Sequence, residues 1–222
     1  TTTGVTTSDG SSSETGILTE SSTTASTGGP AECEVLFRDD FEDEELFPNW
    51  EMIGTGTVDF FGGRVDLTPT PQAGDQPTWL RSTEPVRFEG GWVRVEISDV
   101  PGEDGIQAII SLTHPDEVRS YDIVVDGGSD QIPARVWDAD GFTDLQTVSF
   151  EKFDTPWVGI READEQIFFE RGESEDAMTP FFAVDADVSD WLGRLYIGAD
   201  NFLDLPRSGE VSYEEAAACV LR

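Results

Sequence analysis

Short apolar runs separated by turn residues cover most of the chain beyond residue 33. Their spacing of about 8–12 residues is typical of β-sandwiches. Residues 93–97 (Val-Arg-Val-Glu-Ile) alternate strictly between apolar and polar side chains, and residues 119–125 alternate in a similar way. Because alternation places every second side chain on one face of a strand, these runs predict strands with one buried and one solvent-facing side. The pattern predicts an all-β, antiparallel two-sheet sandwich.

Sixteen segments are predicted as strands: 35–41, 50–53, 57–61, 64–67, 78–82, 86–88, 92–100, 106–112, 119–126, 134–138, 145–150, 157–162, 166–171, 181–184, 195–198 and a C-terminal run from Val211. Gly-Gly, Pro-Gly and Asp-Gly pairs punctuate them as turns. Only the last run contains an alanine-rich stretch that could instead be a helix.

Residues 1–32 differ from the rest of the chain. Ser, Thr and Gly dominate them, and the isolated Ile17-Leu18 pair is too little apolar surface to offset the entropy of ordering. We therefore expect a flexible stalk over residues 1–32 and one domain over residues 33–222. Such a stalk fits a mature exported protein, secreted or held at the cell surface by a lipid anchor from a removed N-terminal signal region. No run is apolar enough over about 18 residues to predict a transmembrane segment.

The acidic charge narrows the classes of partner. Forty-six Asp and Glu residues stand against thirteen Lys and Arg residues, which gives a formal net charge of −33. This field repels nucleic acid and anionic membrane surfaces, so we expect neither as a partner. Two explanations of the charge stay open: adaptation to saline surroundings, where ions screen the repulsion, and binding of divalent cations.

The chain has two cysteines, Cys33 and Cys219, near opposite ends of the predicted domain. In an exported protein this arrangement predicts a disulfide, which requires the first and last strands to be neighbours. Closing so long a loop would stabilise the fold by about 4–5 kcal/mol in the chain-entropy model. The alternative is two separate thiols, with Cys219 buried beside an alanine run.

Several stretches resemble the concanavalin A-like jelly rolls, a superfamily that includes laminin-G-type modules and laminarinase-type glucanases. They are residues 36–43 (Leu-Phe-Arg-Asp-Asp-Phe-Glu-Asp) followed by Leu46 and Trp50, and residues 157–162, 166–171 and 195–198. The resemblance spans about residues 36–214 and implies a concanavalin A-like jelly roll. The hairpin at 173–178 departs from the family pattern, because it lacks the usual glycine and tryptophan. Many functions share this fold, so function must be argued from a site.

The laminarinase-type branch carries its catalytic carboxylates in an E-x-D-x-x-E motif on one strand. The nearest segment here contains Glu96, Asp99 and Glu103. Its spacing is unsuitable, because Glu96 and Asp99 point to opposite faces of a strand and a Pro-Gly pair ends that strand before Glu103. The single histidine, His114, lies in a predicted loop and forms no cluster typical of a transition-metal site. We expect a non-catalytic protein, with a divergent glycoside hydrolase as an alternative.

The resemblance also implies a structural calcium ion where the first and last strands meet. Ca²⁺ prefers oxygen ligands, and the candidates are Asp40 and Glu214. Asp138 and Asp140 offer a second acidic turn, which lacks the further ligands of an EF-hand loop. The alternative is that these acids are solvated.

Aromatic and hydrogen-bonding side chains occur together on two strands predicted to be neighbours. These candidate ligand-binding residues are Arg119, Tyr121, Asp122, Trp137 and Asp138. An aromatic platform beside hydrogen-bonding groups is what a sugar site needs. The alternative is that Tyr121 and Trp137 fill the core.

These patterns together predict an exported, surface-tethered module that binds carbohydrate or another extracellular component, with calcium as its only candidate cofactor. The alternative is a structural subunit of an extracellular filament or surface layer. In that case self-assembly would use the N-terminal tail, which would add a strand to a neighbour's sheet.

Overall fold

The computed structural model describes residues 33–46, 48–71, 77–102, 105–129, 131–150, 154–186, 188, 191–201 and 209–221. The predicted stalk, residues 1–32, lies outside the described residues, and so does any strand that the tail would add to a neighbour. The boundary between stalk and domain therefore stays a prediction. The described residues contain no helix long and apolar enough to cross a membrane.

The described residues form sixteen β-strands, one for each segment predicted from the apolar pattern. They are β1 Cys33–Asp39, β2 Trp50–Gly54, β3 Thr57–Phe60, β4 Val65–Thr68, β5 Thr78–Ser82, β6 Val86–Arg87, β7 Trp92–Asp99, β8 Ile106–Thr113, β9 Ser120–Asp126, β10 Gln131–Asp138, β11 Gly141–Ser149, β12 Trp157–Ala163, β13 Gln166–Gly172, β14 Met178–Asp185, β15 Leu192–Asn201 and β16 Val211–Leu221.

The strands build two antiparallel sheets, which we call sheet I and sheet II. Sheet I has the order β14-β13-β12-β7-β16-β4-β3, with β1 also paired to β16. Sheet II has the order β11-β10-β9-β8-β15-β5-β2, and β6 pairs with β15. The predicted two-sheet antiparallel sandwich is therefore confirmed.

The core lies between the inward faces of the two sheets. On β7 the side chains of Val93, Val95 and Ile97 are fully buried, while the residues between them are partly exposed. Ile110 and Leu112 of β8 are fully buried in the facing sheet. The strict alternation in the sequence thus corresponds to one apolar face for each strand.

The opening motif that resembles jelly rolls has a structural role. Asp39 accepts hydrogen bonds from the backbone N–H of Phe41 at 2.9 Å, from Asn49 Nδ2 at 3.0 Å and from Trp50 Nε1 at 2.9 Å. The buried rings of Phe41 and Trp50 then pack together at 6.1 Å. One carboxylate therefore fixes the turn after β1 and anchors the first tryptophan in the core.

The first and last strands are neighbours, as the cysteine positions predict. Val35 of β1 pairs with Cys219 of β16, and Cys33 pairs with Leu221. The two cysteines are therefore two register positions apart on adjacent strands. Cys219 is fully buried, and none of the described cysteines is a free thiol. The Cys33–Cys219 disulfide itself stays a prediction.

The alanine-rich C-terminal run is a strand and not a helix. Strand β16 lies between β7 on one side and β1 and β4 on the other, so its backbone hydrogen bonds are made on both edges. Ala216, Ala217 and Ala218 are fully buried there. The helix propensity of alanine contributes less to stability than this strand pairing and burial do, so the run forms a strand.

Candidate functional site

A groove crosses the outer face of sheet II. Its volume is about 710 Å³, and its lining comes from β5, β8, β9, β10, β11 and β15 together with the turn after β8. Alternation supplies the lining: on β8, Ala108, Ile110 and Leu112 face the core, whereas Gln107 and Ile109 face the groove. The groove is therefore lined by the side chains that do not face the core.

A row of polar side chains crosses the groove from strand to strand. Arg135 of β10 pairs with Asp122 of β9, and Asp122 pairs with Ser111 of β8. Ser111 in turn pairs with Tyr196 of β15, which pairs with Arg81 of β5. Directly opposite residues on neighbouring strands project from the same face, so these five side chains form one continuous belt.

Asp122 lies in this belt between Arg135 and Ser111. It is 8% exposed and accepts a hydrogen bond from Ser111 Oγ at 2.6 Å. Burial raises the pKa of the Asp122 carboxyl, and hydrogen bonds from Ser111 and Ser120 and the charge of Arg135 oppose that rise. The groove floor therefore holds a carboxyl group that takes up a proton more readily than a solvated aspartate does.

One aromatic platform lies at the β10–β11 side of the groove. The rings of Trp137 and Phe142 stack with centroids 5.8 Å apart, and the two side chains are 43% and 54% exposed. The guanidinium of Arg135 lies over Phe142, 4.2 Å from the ring centroid, and its Nε donates to Asp144 at 2.7 Å. Two large rings are thus exposed side by side, and an exposed aromatic patch is typical of ligand-binding grooves.

A second platform lies at the β5–β15 side. The rings of Trp79 and Tyr196 meet edge to face at 6.0 Å. Trp79 pairs with Gly198 across the two strands, and a Cβ at position 198 would stand 2.5 Å from Cζ3 of the indole. The indole therefore lies against the bare backbone of Gly198. Arg81 donates to the Tyr196 hydroxyl at 3.3 Å and orients that ring.

The structure brings two of the five predicted ligand-binding residues into the groove. Asp122 and Trp137 line it. Tyr121 is half-buried on the opposite face of β9, where its ring packs 5.2 Å from Trp191 and 6.4 Å from Phe169, so the core interpretation holds for Tyr121 and not for Trp137.

The other two predicted residues lie at strand ends, Arg119 just before β9 and Asp138 as the last residue of β10. Arg119 stands over the Trp191 ring at 5.4 Å and contacts His114 Nε2 at 3.0 Å. Asp138 accepts a hydrogen bond from the backbone N–H of Asp140 at 2.8 Å and shapes the β10–β11 turn. Neither residue lines the groove.

Sequence reasoning missed Trp79, Tyr196, Phe142 and Arg135. Phe142 could have been found, since it follows the turn after Trp137 and a hairpin would bring the two rings together. Trp79 and Tyr196 join the groove only because β15 inserts between β8 and β5. That insertion is long-range, and no local pattern indicates it.

Glu96 and Asp99 of the acidic segment considered for glycoside hydrolysis do not line the groove, and Glu103 lies outside the described residues. Glu96 lies on β7 of sheet I, where it pairs with Trp157 and Glu215. Burial raises the pKa of the Glu96 carboxyl, and the neighbouring carboxylates of Glu214 and Glu215 add to that rise. Glu96 therefore belongs to a carboxylate cluster in the other sheet.

The predicted calcium ligands do not form a complete site among the described residues. Asp40 follows β1, is exposed, and accepts a hydrogen bond from the backbone N–H of Glu42 at 3.2 Å. Glu214 is exposed beside a bulge in β16. Ca²⁺ takes six to eight oxygen ligands, and no group of three or more Asp, Glu, His or Cys side chains within the described part of the chain is placed to hold a metal. Calcium binding stays a prediction.

No protein-family model matches the sequence, and a search of curated proteins finds none similar to it. Solved structures do match. The CBM2 module of the evolved Dit protein of Lactobacillus casei BL23 phage J-1 has a TM-score of 0.62 at 12% identity, covering 85% of this chain and 96% of that one. SCLam, a non-specific endo-β-1,3(4)-glucanase of family GH16, has a TM-score of 0.61 at 9% identity, covering 86% and 92%. The exoplasmic/lumenal domain of VIP36, in a Ca²⁺/Man3GlcNAc-bound form, has a TM-score of 0.59 at 12% identity, covering 79% and 84%.

These similarities show the fold. The matched structures include glucanases and lectin-like domains, which share the concanavalin A-like jelly roll, so the fold implied by the sequence resemblance is confirmed. At such low sequence identity, the similarities show the fold of this chain and do not show its activity.

Proposed function

We propose that this jelly-roll domain is a non-catalytic module that binds carbohydrate in the groove of sheet II. The observation that carries the proposal is the pair of platforms, Trp137 with Phe142 and Trp79 with Tyr196, on opposite sides of one hydrogen-bonding floor. Pyranose rings have an apolar face that stacks on aromatic rings and hydroxyl groups that seek donors and acceptors. Both are provided in one groove. The solved structures with a similar fold include a CBM2 module and a legume lectin-like domain, which supports the same proposal.

The arrangement of carboxylates favours binding over hydrolysis. Glycosidases place two carboxyl groups about 5 Å or about 6.5–9.5 Å apart across the scissile bond. Asp122 pairs with Ser111, which pairs with Tyr196, whereas Asp200 lies four residues further along β15. Two strand spacings and four residues separate the backbones of these two acids by about 17 Å.

In a second pair of acids in the groove, Asp122 and Asp144, the side chain of Arg135 lies between the two carboxyl groups. Asp122 and Asp144 both pair with Arg135, on opposite sides of β10. Arg135 is ion-paired to Asp144 and therefore stands between the two carboxyl groups. A water or a leaving group would have to displace that guanidinium.

Affinity electrophoresis against a panel of neutral and anionic polysaccharides tests the proposal. We expect at least one polysaccharide to retard the wild-type protein and Trp137→Ala to abolish most of that retardation. Phe61→Ala is the matched control, since Phe61 is 71% exposed and does not line the groove. Failure to bind any member of the panel, or equal binding by Trp137→Ala, would contradict the proposal. Release of reducing sugar that disappears in Asp122→Asn would identify a hydrolase instead.

Export and surface tethering are part of the same proposal. The stalk composition, the strongly acidic surface and the cysteine pair placed on adjacent strands support it. A structural subunit that assembles through its tail stays an alternative, which depends on residues outside the described part of the chain.

A further inference from the structure

The two platforms are too far apart for one sugar. Strand pairing aligns Trp137, through Ser120 and Thr113, with Arg194 of β15. Trp79 is aligned with Gly198, which lies four residues further along the same strand. Strands β10 and β5 are four steps apart in sheet II. Four strand spacings and an offset of four residues separate the two backbone positions by about 23 Å along the sheet. A ligand that contacts both platforms must therefore be a chain of several linked sugars.

The space between the platforms is a continuous floor. The polar belt of Asp122 and Ser111 and the apolar side chains of Ile109 and Val124 all line the same groove as the two platforms. A chain that crosses the strands diagonally would thus meet hydrogen-bonding groups and apolar surface along its length.

The charge of the groove selects against acidic sugars. Its lining contains the acidic side chains of Glu117, Asp122, Asp144 and Asp200. The guanidinium of Arg135 is already paired to Asp144, and that of Arg81, at the end of the belt, is paired to Glu51 and Glu117. The whole chain carries a formal net charge of −33. Both the local and the overall field oppose sulfated or uronic acid-containing chains.

We propose that the groove binds a segment of an uncharged polysaccharide, several sugars long, which lies diagonally across the strands and contacts both aromatic platforms at once. This inference rests on the proposed carbohydrate-binding function and adds to it the class of ligand, its minimum length and its direction across the sheet.

Size ladders of β-1,3-glucan and α-mannan, from two to eight units and with the parent polymers, test the length requirement by titration calorimetry. We expect affinity to rise by tenfold or more between the shortest fragments and those that span both platforms. Binding of two-unit fragments as tightly as the polymer would overturn the inference and leave the carbohydrate-binding function intact. Absence of binding to every carbohydrate in the ladder and in the panel above would instead remove that function.

Two single variants test simultaneous contact. Trp79→Ala and Trp137→Ala should each weaken binding of the polymer by about tenfold, because each removes one aromatic contact. Phe61→Ala should leave binding unchanged. Wild-type affinity of either platform variant for the polymer would show that one platform suffices and would overturn the inference.

A neutral β-1,3-glucan and its sulfated derivative test the charge selection, since their backbones are identical. We expect the sulfated chain to bind at least tenfold more weakly at low ionic strength and the difference to shrink as salt is added. Equal or tighter binding of the sulfated chain at low salt would overturn the selection for uncharged ligands.

Discussion

Replacing Gly198 with alanine should disrupt the Trp79–Tyr196 platform without changing either ring. A Cβ at position 198 would stand 2.5 Å from Cζ3 and 2.7 Å from Cδ2 of Trp79, well inside the contact distance of about 3.5–4.0 Å between carbon atoms. The backbone cannot retreat easily, because Tyr213 in the core donates a 2.6 Å hydrogen bond to the Gly198 carbonyl from the other side of the sheet. The indole must therefore move.

The size of the effect follows from two opposing contributions. Overpacking a well-filled contact costs about 1–3 kcal/mol, and alanine recovers about 0.5–1 kcal/mol relative to glycine within a strand. The two ranges leave a net loss of about 0–2.5 kcal/mol, and a loss of about 1 kcal/mol near their middle lowers the Tm of a domain of this size by about 2–4 °C. Because the indole leaves its place in the groove, polysaccharide affinity should fall as it does in Trp79→Ala.

Thermal unfolding and affinity electrophoresis of Gly198→Ala measure both consequences. Gly102→Ala is the matched control, since a Cβ at position 102 would have no neighbour within 4 Å. A Gly198→Ala protein with the Tm and polysaccharide affinity of the wild type would refute the close packing of the indole on the strand backbone.

Three further predictions concern stability, and a fourth concerns the disulfide. Asp122→Asn should flatten the pH dependence of the Tm. Because the pKa of Asp122 is raised in the folded state, the folded protein holds a proton at pH values where the unfolded chain has released it. The stability of the wild-type protein therefore falls as the pH rises from the ordinary pKa of aspartate through the raised pKa of Asp122. Identical Tm-against-pH curves for the two proteins would contradict this. Asp39→Ala should lower the free energy of unfolding by about 3 kcal/mol or more, because three donors lose one buried acceptor; a loss below about 1 kcal/mol in urea unfolding would show that the turn does not depend on it. Increasing NaCl from low concentration to about 1 M should raise the Tm by screening the net charge, whereas a constant or falling Tm would show that self-repulsion is unimportant. Thiol titration of the denatured protein should find no free thiol before reduction and two after it, from Cys33 and Cys219; two thiols without reduction would exclude the disulfide.

The strands could be predicted from the sequence because each buries one face. Alternation at residues 93–97 appears directly as the buried and partly exposed residues of β7. The alanine-rich run was ambiguous, since its helix propensity and its strand pairing point in different directions. The pairing of β16 with strands on both of its edges decides the outcome, and those partners lie more than a hundred residues away.

The candidate site could be predicted only in part, for a related reason. Asp122 and Tyr121 are adjacent in sequence, yet alternation sends the first into the groove and the second toward the core. The alternation along β9 shows that successive side chains point to opposite faces of the strand. It does not show which of the two faces lines a groove. Trp79 could not have been associated with Trp137, because their relation depends on the order of five strands in sheet II.

The central strand of sheet II explains how a binding groove can share its fold with hydrolytic neighbours. The laminarinase-type motif needs carboxylates on one strand, all facing the groove, and the groove-facing residues of β8 here are Gln107, Ile109, Ser111 and Thr113. The core needs only the other face of β8, so the groove-facing positions can change without repacking the sandwich. The hydroxyl of Ser111 is moreover engaged with Asp122 on the next strand. On the proposed function, β8 therefore supplies a floor against which a sugar chain lies, and it supplies neither the acid nor the nucleophile that cleavage would require.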